Sequence, residues 1–98
     1  MMRIKNGYLL RRIADEWIVV PLGSASLDFD GLIRVNETGA FLWKILEIGS
    51  EREIMIDALL SEYDIDRRTA ENDFDEFIEA LVKNDILYDL DKGSMIHD

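Results

Sequence analysis

The spacing of the apolar residues changes at Asn36, and this change constrains the fold more than any other feature of the sequence. Before Asn36 the apolar residues fall in short runs rich in β-forming residue types, and after it they recur at helical spacing. Asn36 is a residue type that caps helix N-termini, and Glu37 places a negative charge at the positive end of the helix dipole. An apolar stripe follows at Phe41, Leu42, Ile45 and Leu46, widened by Trp43. We therefore predict a strand that leads directly into a capped helix.

Two glycines mark the beginning and the end of this predicted helix. Gly39 lies in its first turn, where glycine destabilises a helix by about 1 kcal/mol relative to alanine. Its presence there predicts that another part of the backbone packs closely against this turn. Gly49 is a residue type favoured just beyond a helix C-terminus, so we expect the helix to end there.

Three strands are predicted before this helix, over residues 8–14, 17–22 and 31–35, because these runs are rich in β-forming residues. The first two are separated by Asp15 and Glu16, which fits a short hairpin connection. Pro21 suits a strand end or an edge position, since proline has no N–H to donate. In the third strand, alternation places Ile33 and Val35 on one face and Leu32 and Arg34 on the other.

Two further helices are predicted after Gly49. Ser50 and Glu53 match the capping box S-x-x-E, which predicts that the second helix begins at Ser50. Asp66 is the expected cap of the third helix, whose apolar residues recur on one face at Ala70, Phe74, Phe77, Ile78, Leu81 and Val82. Asn84 is expected to end this helix in the left-handed conformation.

The end of the sequence is less regular. Residues 86–90 fit either a short strand or a tail packed on the helices, and residues 92–98 are expected to be mobile. No linker or internal repeat divides the chain, so residues 1–98 are predicted to form a single domain with its core within about residues 8–90.

Charge and composition exclude several classes of protein. The net charge of -10, from 21 acidic and 11 basic side chains, disfavours binding to nucleic acid, whose phosphates would repel the chain. The absence of cysteine removes disulfides, zinc fingers and thiol nucleophiles, and it fits a reducing compartment. No apolar run is long enough to span a bilayer, and the first residues do not resemble a secretory signal. We expect a cytoplasmic protein that does not bind membranes.

The sequence offers no catalytic site and only a weak metal motif. His97 is the sole histidine and lies in the predicted tail, so no nucleophile has a positioned base. Ser26, Asp28, Asp30, Gly31 and Glu37 occupy five positions of an EF-hand calcium loop. The first position normally carries aspartate, and a helix rather than a β-rich run should enter the loop. We therefore predict no metal, no cofactor and no catalysis.

The third predicted strand has two interpretations. If it lies at a sheet edge, its unpaired N–H and C=O groups offer an extended peptide a place to pair. If the C-terminal segment covers it, that surface is used internally. The residue pattern alone leaves both arrangements open.

The run GLIRVNETGAFLWKIL, with the later segments SEYDID and RRTAENDFDEFIEALVKNDIL, resembles the PqqD family, small proteins named after a component of pyrroloquinoline quinone biosynthesis. The similarity covers about residues 8–87. The family pattern is met at Asn36, Glu37, Thr38, Gly39, Ala40, Trp43 and Leu46, at residues 63–66, and at Ala70, Asp73, Phe74 and Phe77. Relatives often carry glycine where this chain has Asn84, a residue that also tolerates the left-handed conformation.

The resemblance implies an α+β, winged-helix-like fold of three antiparallel strands followed by three α-helices. It also implies a non-enzymatic role: holding the leader of a ribosomally made precursor peptide and presenting it to a modifying enzyme, often a radical S-adenosylmethionine enzyme. In relatives the leader adds as a strand beside the third strand, in a cleft against the third helix. Carried over here, the implied peptide-binding residues are Leu32, Ile33, Arg34, Val35, Asp73, Phe74 and Phe77.

A second interpretation is a winged-helix regulator or another protein-interaction subunit, although the net charge disfavours its DNA-binding form. An enzyme or metal protein is a third, and the sequence lacks the groups it would need. Binding of a short peptide would separate the first interpretation from the other two.

Overall fold

The structure is a computed structural model that describes residues 1–23 and 33–97. Within these residues the predicted α+β class is confirmed, and the winged-helix-like description fits loosely. The elements are β1 (Met2–Ile4), β2 (Tyr8–Ile13), β3 (Glu16–Pro21), β4 (Ile33–Val35), α1 (Glu37–Ile48), α2 (Arg52–Glu62), α3 (Arg67–Lys83), β5 (Leu87–Asp89) and β6 (Ser94–Met95).

The first sheet has the order β2-β3-β4 and is antiparallel throughout. Strands β2 and β3 form a hairpin whose two turn residues, Ala14 and Asp15, have positive φ angles of 51° and 64°. Positive φ at both turn residues is the geometry of a type I′ turn, which matches the natural twist of paired strands. The hairpin predicted from the sequence is therefore present.

The second sheet has the order β1-β5-β6 and joins the two ends of the described chain. Neither β1 nor β6 was predicted from the sequence, and a strand at β5 was one of two alternatives for residues 86–90. β6 lies within the segment for which the sequence predicts a mobile tail, and its backbone pairs with β5. The Ile96 N–H also donates to the Leu87 carbonyl oxygen at 2.9 Å.

The capping box predicted for the second helix does not form. Ser50 instead makes a β-bridge with Met2, in which each N–H donates to the other residue's carbonyl oxygen at 2.8 and 2.9 Å. Helix α2 therefore begins later, at Arg52, after an N-cap residue, Glu51, that makes no side-chain capping bond. Pairing with a strand distant in sequence overrides the local motif.

The other helix ends follow the sequence more closely. Asn36 Oδ1 accepts from the Gly39 N–H at 2.9 Å, and Asp66 Oδ1 accepts from the Thr69 N–H at 2.8 Å, as the capping predictions require. Helix α1 ends at Ile48, just before Gly49 as predicted, and Gly49 has a positive φ of 115°. The prediction for Asn84 is wrong, because its φ is -101° and the left-handed residue is the next one, Asp85.

One core lies between the helices and the two sheets. Trp43, on α1, is completely buried, and Phe74 on α3 is 2% exposed. The remaining buried members come from all three helices and from β1, β3 and β5 or their flanks: Ile4, Val19, Leu42, Leu46, Met55, Ile56, Leu59, Ala70, Phe77, Leu81, Val82, Ile86 and Leu87. The inward face predicted for α3 is thus the face that packs.

Candidate functional site

Strand β4 lies at the edge of the first sheet. It pairs with β3 through Trp17↔Val35, Ile18↔Arg34 and Val19↔Ile33, and among the described residues no strand pairs with its other side. The C-terminal strands belong to the second sheet, beside β1. Of the two arrangements left open by the sequence, the described residues therefore form the free edge, not the edge covered by the C-terminal segment.

A groove of about 300 Å³ separates this free edge from helix α3. On the α3 side it is lined by Asp73 and by the residues three, four and seven positions after it, which share one face of the helix: Glu76, Phe77 and Ala80. From the other side it is lined by Arg34, Val35 and Asn36. Apolar side chains form its floor, and charged side chains stand at its rim.

The floor is supported by the first turn of α1. A Cβ atom at Gly39 would lie 3.1 Å from Phe77 Cδ1 and 3.2 Å from Val35 Cβ, so the missing side chain leaves room for both. The glycine predicted close packing of another part of the backbone against this turn, but the neighbours of Gly39 are these side chains instead. Asn36 both caps α1 and lines the groove, so the position of the groove wall depends on the start of this helix.

The structure distributes the seven predicted site residues between the groove, the core and the undescribed segment. Arg34, Val35, Asp73 and Phe77 line the groove, and Ile33 supplies the start of its strand edge. Leu32 lies outside the described residues, as do Ser26, Asp28, Asp30 and Gly31 of the EF-hand-like run.

Phe74 does not line the groove. Its ring is 2% exposed in the core, with the Arg52 guanidinium 5.2 Å from the ring centroid. Three groove residues were not predicted from the sequence: Asn36, Glu76 and Ala80. The two on α3 lie three and seven positions after Asp73, so helical spacing from Asp73 is the signal that finds them.

The acidic residues of α3 have different electrostatic surroundings. Arg52 Nη1 lies 2.5 Å from Asp75 Oδ1, and Arg52 Nη2 lies 3.8 Å from Glu71 Oε2. On the groove side, Asp73 and Glu76 have no ion-pair partner within residues 1–23 and 33–97. The groove therefore presents two carboxylates that form no ion pair with the described residues.

Arg34, the basic residue at the rim of the groove, forms an ion pair outside it. Arg34 Nε lies 3.7 Å from Glu16 Oε2 on the neighbouring strand, and both side chains are largely exposed. A second cavity of about 340 Å³ lies on that side and is lined by both residues together with Trp17. The Trp17 ring contacts two cations, with Arg12 Cζ 5.4 Å and Lys44 Nζ 4.9 Å from its centroid.

No group of three or more His, Asp or Glu side chains that could hold a metal ion occurs in the described part of the chain. The exposed His97 lies 3.4 Å from Asp85 Oδ1, away from the groove residues. Among the described helices, none has the length and apolar character required to cross a membrane.

Comparisons with known proteins give one family and two structures. The family model for coenzyme PQQ synthesis protein D (PqqD) matches residues 16–96. The chain is similar to TbiB1, solved in complex with the TbiA(β) leader peptide, at 28% identity and a TM-score of 0.66, over 87% of this chain and 93% of that chain.

A second structure, lasso peptide synthetase B1 complexed with the leader peptide, has 19% identity and a TM-score of 0.67, over 90% of this chain and 98% of that chain. At that identity the likeness shows the fold. The comparison with curated proteins returned no match.

Proposed function

The chain belongs to the family of coenzyme PQQ synthesis protein D, and from that premise we propose that it is a non-catalytic adaptor for a precursor peptide. The leader of a ribosomally made precursor binds along β4 as an added strand. The adaptor then presents the precursor to a modifying enzyme, which we propose is of the radical S-adenosylmethionine type.

The observation that carries this proposal is the free edge of β4 beside the groove against α3. Unpaired backbone groups on a sheet edge provide affinity for an extended peptide of almost any sequence, and adjacent pockets provide specificity. The similarity to TbiB1, a protein solved with a leader peptide, supports the same type of ligand for this chain.

The proposed contacts divide between backbone and side chains. The backbone of Ile33, Arg34 and Val35 pairs with the leader, and Leu32, which lies outside the described residues, belongs to the same proposed peptide-binding set. Asp73 and Phe77 contact the leader side chains from α3. Phe74 contributes from the core, where it holds α3 in position.

A titration with a synthetic peptide tests the proposal. The peptide is the leader of the precursor encoded beside the gene, and binding is followed by tryptophan fluorescence and by backbone amide chemical shifts. We expect the largest shifts at Ile33–Val35 and along the groove face of α3. A protein-interaction subunit that does not bind peptides would give no saturable change.

A proline scan through β4 tests the mode of binding. Successive N–H groups of an edge strand point alternately towards the paired strand and towards the open side. Ile33 and Val35 therefore belong to one group, and Arg34 to the other. Proline in the outward group removes a donor that the folded domain does not use, although its ring also crowds the incoming strand.

We expect one group of proline variants to remain folded by circular dichroism and lose peptide affinity, and the other to lose stability because a bond to β3 is removed. Unchanged affinity in every folded variant would place the peptide elsewhere on the protein. In that case the strand-addition mechanism would be wrong.

A further inference from the structure

We propose that the groove selects leaders in which a lysine or arginine and an apolar residue occur two positions apart. The basic side chain binds between Asp73 and Glu76, and the apolar side chain binds on Phe77. This inference rests on the proposed function, since it specifies which leaders the same groove accepts.

The charge of the groove supplies the first argument. Asp73 and Glu76 face the groove without an ion-pair partner among residues 1–23 and 33–97, whereas Asp75 and Glu71 on the same helix pair with Arg52. A peptide strand laid on β4 displaces water from these two carboxylates. Uncompensated loss of hydration is costly for a charged group, so the strand is best accommodated if it brings a cation.

The rest of the molecule reinforces this preference. The net charge of -10 attracts cationic segments and repels acidic ones at long range. Arg34, the cation on the opposite rim, lies 3.7 Å from Glu16, so part of its charge is offset before any peptide binds. An acidic leader would therefore be repelled by the unpaired carboxylates of Asp73 and Glu76 and would gain little from Arg34, which is already paired with Glu16.

The dimensions of the groove supply the spacing. Its α3 lining extends from Asp73 to Ala80, seven residue steps and therefore about 10.5 Å along the helix axis. An extended strand covers that distance in about three residues, and side chains at positions i and i+2 point to the same side. The groove thus receives two side chains from the added strand.

The two side chains meet different surroundings. Along α3 the carboxylates of Asp73 and Glu76 come first in the lining, and Phe77, which is 7% exposed, and the half-buried Ala80 follow them. The matching pattern in the leader is a basic residue and an apolar residue separated by one position. Either order fits, according to the direction in which the strand lies.

Selection from a random peptide library tests the inference without knowledge of the natural precursor. Ten-residue random peptides displayed on their own mRNA are selected on the immobilised full chain, and the enriched sequences are read out. We expect enrichment of Lys or Arg two positions from an apolar residue, and depletion of Asp and Glu around them.

Matched variants then locate the charge effect. Glu76→Gln and Glu79→Gln each remove one exposed carboxylate from α3, but Glu79 does not line the groove. For an enriched peptide measured by fluorescence anisotropy at low salt, Glu76→Gln should weaken binding about two- to fivefold, the range of a solvent-exposed ion pair. Glu79→Gln should change it less than 1.5-fold, and the difference should shrink in 1 M salt.

A charge exchange provides the positive control. Glu76→Lys should reject the enriched peptide and should recover affinity when the basic residue of that peptide is replaced by glutamate. Recovery supports direct contact between the two positions.

Two results would overturn the inference, and they are distinguishable. In the first, the enriched peptides lose affinity for the folded proline variants of β4, but they show no preference for basic residues, or Glu76→Gln and Glu79→Gln weaken their binding equally. The proposed selectivity is then wrong, and the adaptor function stands. If enriched peptides are insensitive to every folded proline variant, the peptide site itself is wrong and the inference falls with it.

Discussion

Truncation of Phe74 tests the separation between core and groove on helix α3. The ring is 2% exposed, and Phe→Ala substitutions at such sites destabilise proteins by about 3–5 kcal/mol. Removal of the ring also ends its contact with the Arg52 guanidinium, 5.2 Å away. A domain of this length has a total stability of about 5–15 kcal/mol, so the Phe74→Ala variant should fold but be marginal.

Urea denaturation followed by tryptophan fluorescence measures this loss, with the fully buried Trp43 as reporter. With a urea m value of about 1.5 kcal/mol per molar, the midpoint should fall by roughly 2–3 M. Ile54→Ala is the control, since Ile54 is 57% exposed on α2 and its truncation should change stability by no more than about 0.5 kcal/mol.

Peptide affinity provides the second readout. Because Phe74 does not line the groove, the folded fraction of Phe74→Ala should bind a leader within about twofold of the wild-type affinity, a difference of about 0.4 kcal/mol. A stability loss below 1 kcal/mol combined with lost binding would mean that the ring contacts the peptide. The assignment of Phe74 to the core would then be refuted.

Three further substitutions test individual features of the fold. Gly49→Ala should lower the free energy of unfolding in urea by about 1–3 kcal/mol, because a φ of 115° is strained for alanine and its Cβ would lie 3.2 Å from Met1 Sδ. An unchanged urea midpoint would contradict that geometry. Ile48→Lys should stabilise the protein by about 0.3–1 kcal/mol at low salt, since Ile48 is 84% exposed and the negative end of the α1 dipole has no cation in its last turn. Destabilisation would contradict the exposure of this side chain. The Thr69 backbone N–H lowers the pKa of Asp66, so this cap should contribute stability above pH 4 and lose it as the pH falls further. The Tm advantage over Asp66→Asn should therefore shrink in acid, and a pH-independent difference would contradict this assignment.

Local sequence signals predict the parts of the fold that local interactions stabilise. The hairpin, the caps at Asn36 and Asp66, and the inward face of α3 all depend on residues within a few positions of one another. The prediction failed at Ser50 because its backbone bonds to Met2, and no local pattern carries that information. Strand β1 was missed for the same reason, since its partner is β5.

The site residues were predicted from different signals. The residue pattern left open whether the third strand is a free edge, the family resemblance implied that a peptide adds there, and helical spacing grouped Phe74 and Phe77 on one face of α3. The sequence could not separate them, because both rings are buried and only the position of β4 determines which one the groove exposes. The free charge of Glu76 depends likewise on where the arginines lie in three dimensions.

The pairing of β1 with β5 sets the order in which this domain is completed on the ribosome. The two strands are roughly 85 residues apart in sequence. At a translation rate of about 5–20 residues per second, β5 is therefore synthesised roughly 4–17 s after β1. During that interval Met2–Ile4 lacks its β5 partner, and its backbone groups other than those of Met2 that bond to Ser50 are open to chaperones or to a neighbouring nascent chain. Among the described residues, none beyond Ala80 lines the groove, so all of its lining residues are synthesised before β5 and β6, which complete the second sheet.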